Sequence, residues 1–314
     1  MKRLVLFVGL VVAAYSCTDD QVFTSVENEL SHTQPLEIIT KSLTTESLNF
    51  TQAFSEGMEL GLFVHTAGTE AIYTNKKEYG NIKAKAVREK GKICWRTEPE
   101  VWLSRQAATV VAYAPYRNDI DPDALRIPVK IAPNAAETVA YMYGTHTLGH
   151  KKVNYLSPMV LLNMNYALSQ IVFRIARHSQ ADTPGRVSSV QIGNKGGGNL
   201  LAQEGLLDLV TGEVTDRTGL STPTRLHLAQ PLLLTTHYQS VPAVKVLPTV
   251  RKMKPDEVEA LFTIDGKSYA LSLPGNIRWK KGYTYTYQLV YDGHFLRFER
   301  LTVTDWEPGK ADAM

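Results

Sequence analysis

The chain has 314 residues, of which 44 % are hydrophobic and 21 % are charged, so it can bury a large core and is not disordered as a whole. Its only two cysteines, Cys17 and Cys94, exclude a framework of several disulfides and a multi-cysteine metal site. The formal net charge of +3 is too small to indicate nucleic acid as a partner, and we expect no such partner.

The N-terminus has the pattern of a secretory signal. Two basic residues precede a short apolar run, and the small residues Ala14 and Ser16 come just before Cys17. The run is shorter than the roughly 20 residues that a transmembrane helix needs, so we predict that residues 1–16 are a signal peptide. A cysteine directly after such a site is what bacterial lipoprotein processing acylates, and we predict that Cys17 carries the lipid. Ordinary cleavage beside an incidental cysteine is the alternative.

The body of the chain alternates apolar and polar residues as antiparallel β-strands do. One predicted strand face carries Leu60, Leu62 and Val64, and another carries Val110, Ala112 and Ala114. Further strand-like runs lie at 125–127, 139–143, 187–192, 225–229, 243–247, 261–264, 268–273 and 283–291. Many short strands with frequent turns predict β-sandwiches rather than a doubly wound α/β fold.

The segment 161–175 is ambiguous. Its apolar positions 161, 164, 168, 171 and 175 have helical spacing, but it also contains the strand-like sequence IVFRI. We predict one strand with an irregular start. Ser157-Pro158, just before this segment, is the predicted domain boundary.

Turn residues and pattern shifts predict local features near the C-terminus. Asp265-Gly266 and Asp292-Gly293 lie between alternating runs and predict β-hairpins. The apolar phase slips by one residue within 295–304, which predicts a bulge or break near Glu299.

Candidate chemistry is sparse. His146 and His150 are four residues apart, but no Glu lies between them, so we expect a loop with two exposed histidines rather than a zinc site. The glycine-rich 195–199 predicts a flexible turn, and the cation-rich 76–92 predicts a solvated loop or hairpin rim. Cys94 is expected to be a small core residue. No nucleophile, base and orienting group are apparent, so we predict no enzyme, cofactor or metal.

Several stretches, taken in order, resemble the fimbrillin family of Bacteroidales. The most specific are WKKGYTYTY at 279–287 and, after about fifteen residues, VTDWEPG at 303–309. Others are AYAPY at 112–116, YMYG at 141–144 and YALSQIVF at 166–173, where Tyr166 stands in place of the family's usual His. The resemblance covers roughly residues 36 to 309.

The resemblance implies two tandem transthyretin-like antiparallel β-sandwich domains, at 17–157 and 158–314. It also implies a structural subunit of a surface pilus or fimbria, exported as an outer-membrane lipoprotein, that supports adhesion and has other pilus subunits as partners. In the family, a protease removes the first strand, and a strand from a neighbouring subunit fills the groove. An extended strand satisfies the unpaired backbone and the apolar pockets of an incomplete sandwich.

The residues that match this scheme can be named. Lys41 is the first basic residue after Cys17 and follows the strand-like 36–40, so the predicted cut lies between Lys41 and Ser42. It would release a first strand at about 36–41, and the apolar residues of that strand are Leu36, Ile38 and Ile39. The C-terminal strand, with Leu301, Val303 and Trp306, is the candidate donor.

A second function is compatible with the same residues. The chain could be a monomeric, anchoring or tip lipoprotein of the same fold that binds a glycan or a host protein and does not polymerise. In that case the chain is not cleaved after Lys41, and the first strand stays in place. The sequence leaves the stalk, tip and anchor roles open, and it does not identify an adhesion ligand.

Overall fold

The computed structural model describes residues 33–42, 54–146, 152–219 and 222–306. Within these ranges the chain forms β-strands and three short 3-10 turns at Tyr73–Asn75, Lys77–Tyr79 and Ala135–Glu137, with no α-helix. The predicted all-β class is therefore confirmed. The predicted signal peptide, Cys17 and His150 lie outside the described residues.

The strands follow one another closely along the chain. The first nine are β1 (Gln34–Pro35), β2 (Glu37–Ser42), β3 (Glu59–Thr66), β4 (Ile82–Glu89), β5 (Lys92–Glu98), β6 (Trp102–Leu103), β7 (Ala108–Ala114), β8 (Arg126–Lys130) and β9 (Met142–His146). The next six are β10 (Met159–Tyr166), β11 (Ser169–Arg177), β12 (Arg186–Asn194), β13 (Glu204–Asp208), β14 (Val214–Thr218) and β15 (Thr224–Leu233). The last six are β16 (Gln239–Ser240), β17 (Val244–Val246), β18 (Val258–Ile264), β19 (Lys267–Ser272), β20 (Tyr283–Tyr291) and β21 (Leu296–Asp305).

These strands form four sheets and one short ribbon. The N-terminal sheet has the order β2-β10-β9-β7-β3-β4-β5, and the bridging sheet has the order β14-β13-β8. C-terminal sheet I has the order β16-β11-β20-β21, with β17 also paired to β11, and C-terminal sheet II has the order β15-β12-β18-β19. The short strands β1 and β6 pair with each other. Most pairs are antiparallel, but β2 with β10 and β11 with β20 are parallel.

Three hydrophobic cores stabilise this arrangement. The inner core lies on one face of the N-terminal sheet and contains Leu60, Leu62 and Val64, which share a strand face as predicted. The bridging core lies on the opposite face, where Phe63 meets Ile127 of the bridging sheet. The C-terminal core lies between C-terminal sheets I and II. Both faces of β3 are therefore buried, as in the centre of a large sheet.

The ambiguous segment 161–175 is two strands, so the prediction of one strand is wrong. β10 belongs to the N-terminal sheet and β11 to C-terminal sheet I. They are separated by the buried residues Ala167 and Leu168, and the amide of Ala167 donates to the carbonyl of Tyr141 at 2.9 Å. The predicted boundary after 157 would separate β10 from its sheet, so we place the change of sheet at Ala167-Leu168.

The bridging sheet joins the two halves of the chain. β8 comes from the first half and pairs with β13 from the second, with Ile127 opposite Leu207. The hairpin of β13 and β14 has weak alternation and was not predicted. Because of this pairing, the halves share a hydrogen-bonded sheet as well as the bridging core.

Two local predictions are confirmed. Asp265 and Gly266 both have positive φ, of 49° and 76°, as the tight hairpin between β18 and β19 requires. In β21, Arg300 pairs with Gln288 and Phe298 with Leu289, so Glu299 is the extra residue of a bulge.

The cation-rich stretch 76–92 contains β4, which forms a hairpin with β5 through Lys90 and Gly91, at φ of 49° and 81°, so of its two predicted forms the structure has the hairpin. Two local expectations need correction. Cys94 is only partly buried because β5 is an edge strand, so it is not a core residue. His146 ends β9 rather than lying in a loop, and its Nε2 accepts a hydrogen bond of 2.7 Å from the amide of Val110.

Candidate functional site

The predicted first strand, β2, lies at one edge of the N-terminal sheet. It pairs in parallel with β10 alone, from Glu37 opposite Met159 to Ser42 opposite Met164. The amide of Glu37 extends this pairing by donating to the carbonyl of Pro158 at 3.0 Å. β2 is thus held to the sheet by one ladder of backbone hydrogen bonds.

The apolar side chains of this strand do not all face the same way. Leu36 and Ile38 are buried in the inner core, with 9 % and 8 % of their surface exposed. Ile39 is 42 % exposed, because successive side chains of a strand point to opposite faces. Leu36 and Ile38 therefore contribute most of the burial that a departing strand would lose.

β2 also contacts the other edge of the same sheet. Trp95 of β5 donates from its indole Nε1 to the hydroxyl of Thr40 at 3.1 Å. The ring of Trp95 also packs edge-on against Phe54, with 5.5 Å between the ring centroids. The N-terminal sheet therefore curls until its two edge strands approach each other, and β2 covers the inner core between them.

A second anchor lies just before β2. Gln34 and Pro35 of β1 pair with Leu103 and Trp102 of β6, and the amide of Leu36 donates to the carbonyl of Val101 at 2.9 Å. The segment 34–36 is therefore attached to a different part of the chain from β10. Release of the first strand would break both attachments.

The predicted cleavage bond lies inside β2. Lys41 and Ser42 are the last two residues of the strand and are opposite Asn163 and Met164 of β10. A bond in a hydrogen-bonded strand becomes available to a protease when the local pairing opens. The described chain is interrupted directly after Ser42 by 43–53.

The C-terminal strand, β21, forms an edge of C-terminal sheet I. Among the described residues it pairs only with β20, so its outer backbone edge is free of strand partners. Leu301 packs against the C-terminal core, whereas Val303 is 47 % exposed. A long unpaired edge is a place where a strand from another chain can add.

Trp306 fixes the end of β21 between the two halves. It is 6 % exposed in the bridging core, and its ring stacks on that of Tyr166 at 4.0 Å with an interplanar angle of 10°. Its amide donates to the carbonyl of Gly282 at 2.8 Å. Nothing local in the sequence predicts the Tyr166–Trp306 contact or the Trp95–Thr40 contact, since both join distant strands.

The C-terminal motif that carried the family resemblance has a packing role. Trp279 is fully buried, and its Nε1 donates to the hydroxyl of Tyr287 at 3.0 Å. Burial raises the pKa of the Tyr287 phenol well above its ordinary value, which keeps the group neutral as a hydrogen-bond partner. Gly282 has a φ of +73° at the turn that leads into β20.

The described residues contain no group of three or more His, Cys, Asp or Glu side chains that could hold a metal ion. In the same part of the chain, no helix has the length and apolar character needed to cross a membrane.

The glycine-rich segment 195–199 forms a turn, with Gly196 and Gly197 at φ of 61° and 76°.

The fold is shared with solved proteins of the cell-adhesion and fimbrial class. A fimbrial protein from Bacteroides vulgatus is similar with a TM-score of 0.61 and 14 % identity, over 87 % of this chain and 100 % of that one. A candidate cell adhesion protein from Bacteroides ovatus gives a TM-score of 0.64 and 16 % identity, over 87 % and 98 % of the two chains. The tip fimbrial protein Mfa3 from Porphyromonas gingivalis, with a C-terminal truncation, gives 0.53 and 9 %, over 87 % and 100 %.

The chain itself belongs to the fimbrillin-like family, whose model matches residues 44–306. The resemblance to fimbrillins read from the sequence is therefore confirmed. Among curated proteins, none matches the chain significantly. At identities this low, the likeness to the solved structures establishes the fold and not the particular role.

Proposed function

We propose that this protein is a structural subunit of a cell-surface fimbria. It is exported to the outer membrane as a lipoprotein that carries its lipid on Cys17. A protease cuts between Lys41 and Ser42, the segment that contains β2 departs, and a strand from a neighbouring subunit takes its place. Membership of the fimbrillin-like family supports the fimbrial part of this proposal. The matched region begins at residue 44, just after β2, which is consistent with a removable first strand.

The position of β2 is the observation on which the assembly step depends. It is an edge strand that covers an apolar core through Ile38, with Leu36 just before it, and its backbone pairs with a single strand, β10. Its removal would leave the edge of β10 that faces away from β9 unpaired, beside Val160, Leu162 and Trp95 of the inner core. A donated strand would restore both the hydrogen bonds and the apolar burial.

Polymerisation of a cleavage-site variant tests this proposal. If the subunit polymerises, we expect it to give a ladder of polymers on gels run without full boiling. Lys41→Gln should abolish this ladder, because a protease that cuts after a basic residue, as trypsin does, requires the lysine side chain. Lys85→Gln is the matched control, since Lys85 is an exposed lysine of β4 in the same sheet. Polymer formation by Lys41→Gln at the level of the control would contradict cleavage at this site.

A tip or anchoring role is the second candidate. It is favoured by the contacts of β2 with β10, with Trp95 and, through the preceding residues, with β6, which suit a strand that is kept. Such a subunit would retain β2 and bind a glycan or host protein at the surface. Its surface form would then carry the acylated Cys17 and would not appear in the repeating part of a fibre.

A further inference from the structure

A basic cavity lies away from the first strand, between the β13–β14 hairpin and the start of β20. Its volume is about 340 Å³. Four of its lining residues are cations, Arg217, Arg278, Lys280 and Lys281, and only Glu213 is an acid. The excess of positive charge in one concave site points to an anionic ligand.

The single acid of this cavity is already engaged. Glu213 pairs with Lys281 at 2.7 Å, and Lys281 also donates to the carbonyl of Thr211 at 2.6 Å. The other three cations, Arg217, Arg278 and Lys280, form no salt bridge with any acid in the described part of the chain. Their charge is therefore available to a ligand.

Arg217 is the most unusual of these cations. Its Nε donates to the carbonyl of Val214 at 3.1 Å, but its buried Nη1 has no hydrogen-bond partner among the described residues. Burial lowers the pKa of its guanidinium, Glu213 opposes this, and the positive charge of Arg278 lowers it further. A buried donor without an acceptor is costly, so an anion bound beside it would be stabilising.

The segment that presents Arg278 and Lys280 is rigidly held. Trp279 between them is fully buried and exchanges hydrogen bonds with Thr249, through its carbonyl at 2.9 Å and its amide at 3.0 Å. The hydroxyl of Tyr285 accepts from the amide of Lys280 at 2.8 Å and donates to the carbonyl of Arg278 at 2.7 Å. The backbone that carries both cations is therefore held in place, and the Nε of Arg278 donates to the carbonyl of Thr249 at 3.2 Å, which reduces the ordering cost of binding.

We propose that this cavity binds the carboxylate of a small acidic sugar, through the guanidinium groups of Arg217 and Arg278. A guanidinium can donate two parallel hydrogen bonds to a carboxylate, and both groups line this cavity. The Nε atoms of Arg217 and Arg278 donate to the carbonyls of Val214 and Thr249, which leaves the buried Nη1 of Arg217 without a partner among the described residues. Tyr283 adds a hydroxyl group, and Val214 adds an apolar surface. A cavity of about 340 Å³ suits a compact ligand better than an extended acidic peptide. Binding of this ligand does not depend on whether the chain polymerises.

Calorimetric titration of the full chain tests this site, with N-acetylneuraminic acid as the probe and the neutral N-acetylmannosamine as its control. We expect binding of the acid only. Arg217→Gln and Arg278→Gln should each weaken it by about tenfold, as expected for loss of a charge-assisted hydrogen bond. Arg105→Gln is the matched control, because Arg105 is an exposed arginine outside the cavity.

Three results would overturn this proposal. One is the absence of binding, and another is equal affinity in Arg217→Gln, Arg278→Gln and the Arg105→Gln control. The third is tighter binding of a glutamate-rich peptide than of the acidic sugar, which would assign the site to a protein partner. The melting temperature of each variant reports its folding, and the exposed Arg278 keeps the test valid if Arg217→Gln does not fold.

Discussion

Ile38 and Ile39 are adjacent in β2 but have opposite environments. Ile38 is 8 % exposed in the inner core, whereas Ile39 is 42 % exposed on the outer side of the strand. The two residues have the same side chain and the same strand propensity. A comparison of their variants therefore isolates the contribution of burial.

Ile38→Ala should lower the free energy of unfolding by about 2 kcal/mol, the lower end of the range for a buried isoleucine, because β2 is an edge strand. Ile39→Ala should change it by less than about 0.5 kcal/mol. Urea unfolding followed by tryptophan fluorescence measures both values. Equal effects of the two substitutions would contradict the assigned orientation of β2.

Trp306→Ala should destabilise the chain by about 3 kcal/mol, because it removes a buried ring that stacks on Tyr166 and fills the bridging core. Val303→Ala, on the same strand but 47 % exposed, is the control and should have little effect. Thermal unfolding followed by near-ultraviolet circular dichroism checks the difference. An unaltered melting temperature for Trp306→Ala would show that this contact does not stabilise the protein.

Glu257 makes a pH-dependent contribution. Its hydrogen bond with Arg251, reinforced by the amide of Lys254, lowers the pKa of its carboxyl from 4.5 to about 2. A carboxyl whose pKa is lower in the folded state stabilises the fold above pH 4.5, and this contribution is lost as the pH falls to about 2. In Glu257→Gln the loss of stability across this window should be smaller than in the wild type. Identical acid titrations of the two proteins, followed by circular dichroism, would contradict the assignment.

At the scale of elements, β2 covers part of the inner core at the edge of the N-terminal sheet. A chain that begins at Ser42 should bind a hydrophobic dye more strongly than the full chain, because the groove between β10 and β5 would be open. A peptide with the sequence of residues 33–41 should reverse the increase. Dye fluorescence with and without the peptide is the measurement.

Variant peptides supply the control for this experiment. A peptide with Ile38→Asp should not suppress the dye signal, since it would place a charge in the inner core. A peptide with Ile39→Asp should still suppress it, because Ile39 faces outward. If both peptides behave alike, binding is not by insertion of a strand in the orientation of β2.

Elements with a local signal could be predicted from the sequence. The bulge at Glu299 shows as a one-residue slip in the apolar pattern, and the hairpin at Asp265-Gly266 shows as a turn dipeptide. The break at Ala167-Leu168 has no glycine or proline, and the change of buried face across it mimics helical spacing. That explains why β10 and β11 were predicted as one strand.

The candidate site was only partly predictable for a different physical reason. The apolar pattern identified β2, but its parallel partner β10 is far away in the sequence and carries no pairing signal. The contact of Trp95 with Thr40 and the cluster of Arg217 with Arg278 are likewise assembled by the fold. Such contacts depend on how distant segments come together, which a single sequence does not encode in any local pattern.

At the scale of the whole molecule, the two halves are joined, whereas β2 lies at the edge of its sheet. β8 pairs with β13 across the halves, and Trp306 stacks on Tyr166 in the bridging core. By contrast, β2 is an edge strand whose backbone pairs with one neighbour only, β10. An assembly step that exchanges β2 would therefore leave the rest of the fold intact.

The N-terminus of the protein in sheared surface fibres tests the central claim most directly. Mass spectrometry of the N-terminal peptide should identify Ser42 as the first residue of the assembled subunit, because cleavage after Lys41 would remove Cys17 together with all of β2 except Ser42. Fibres whose repeating subunit retains an acylated Cys17 would contradict assembly by loss of the first strand.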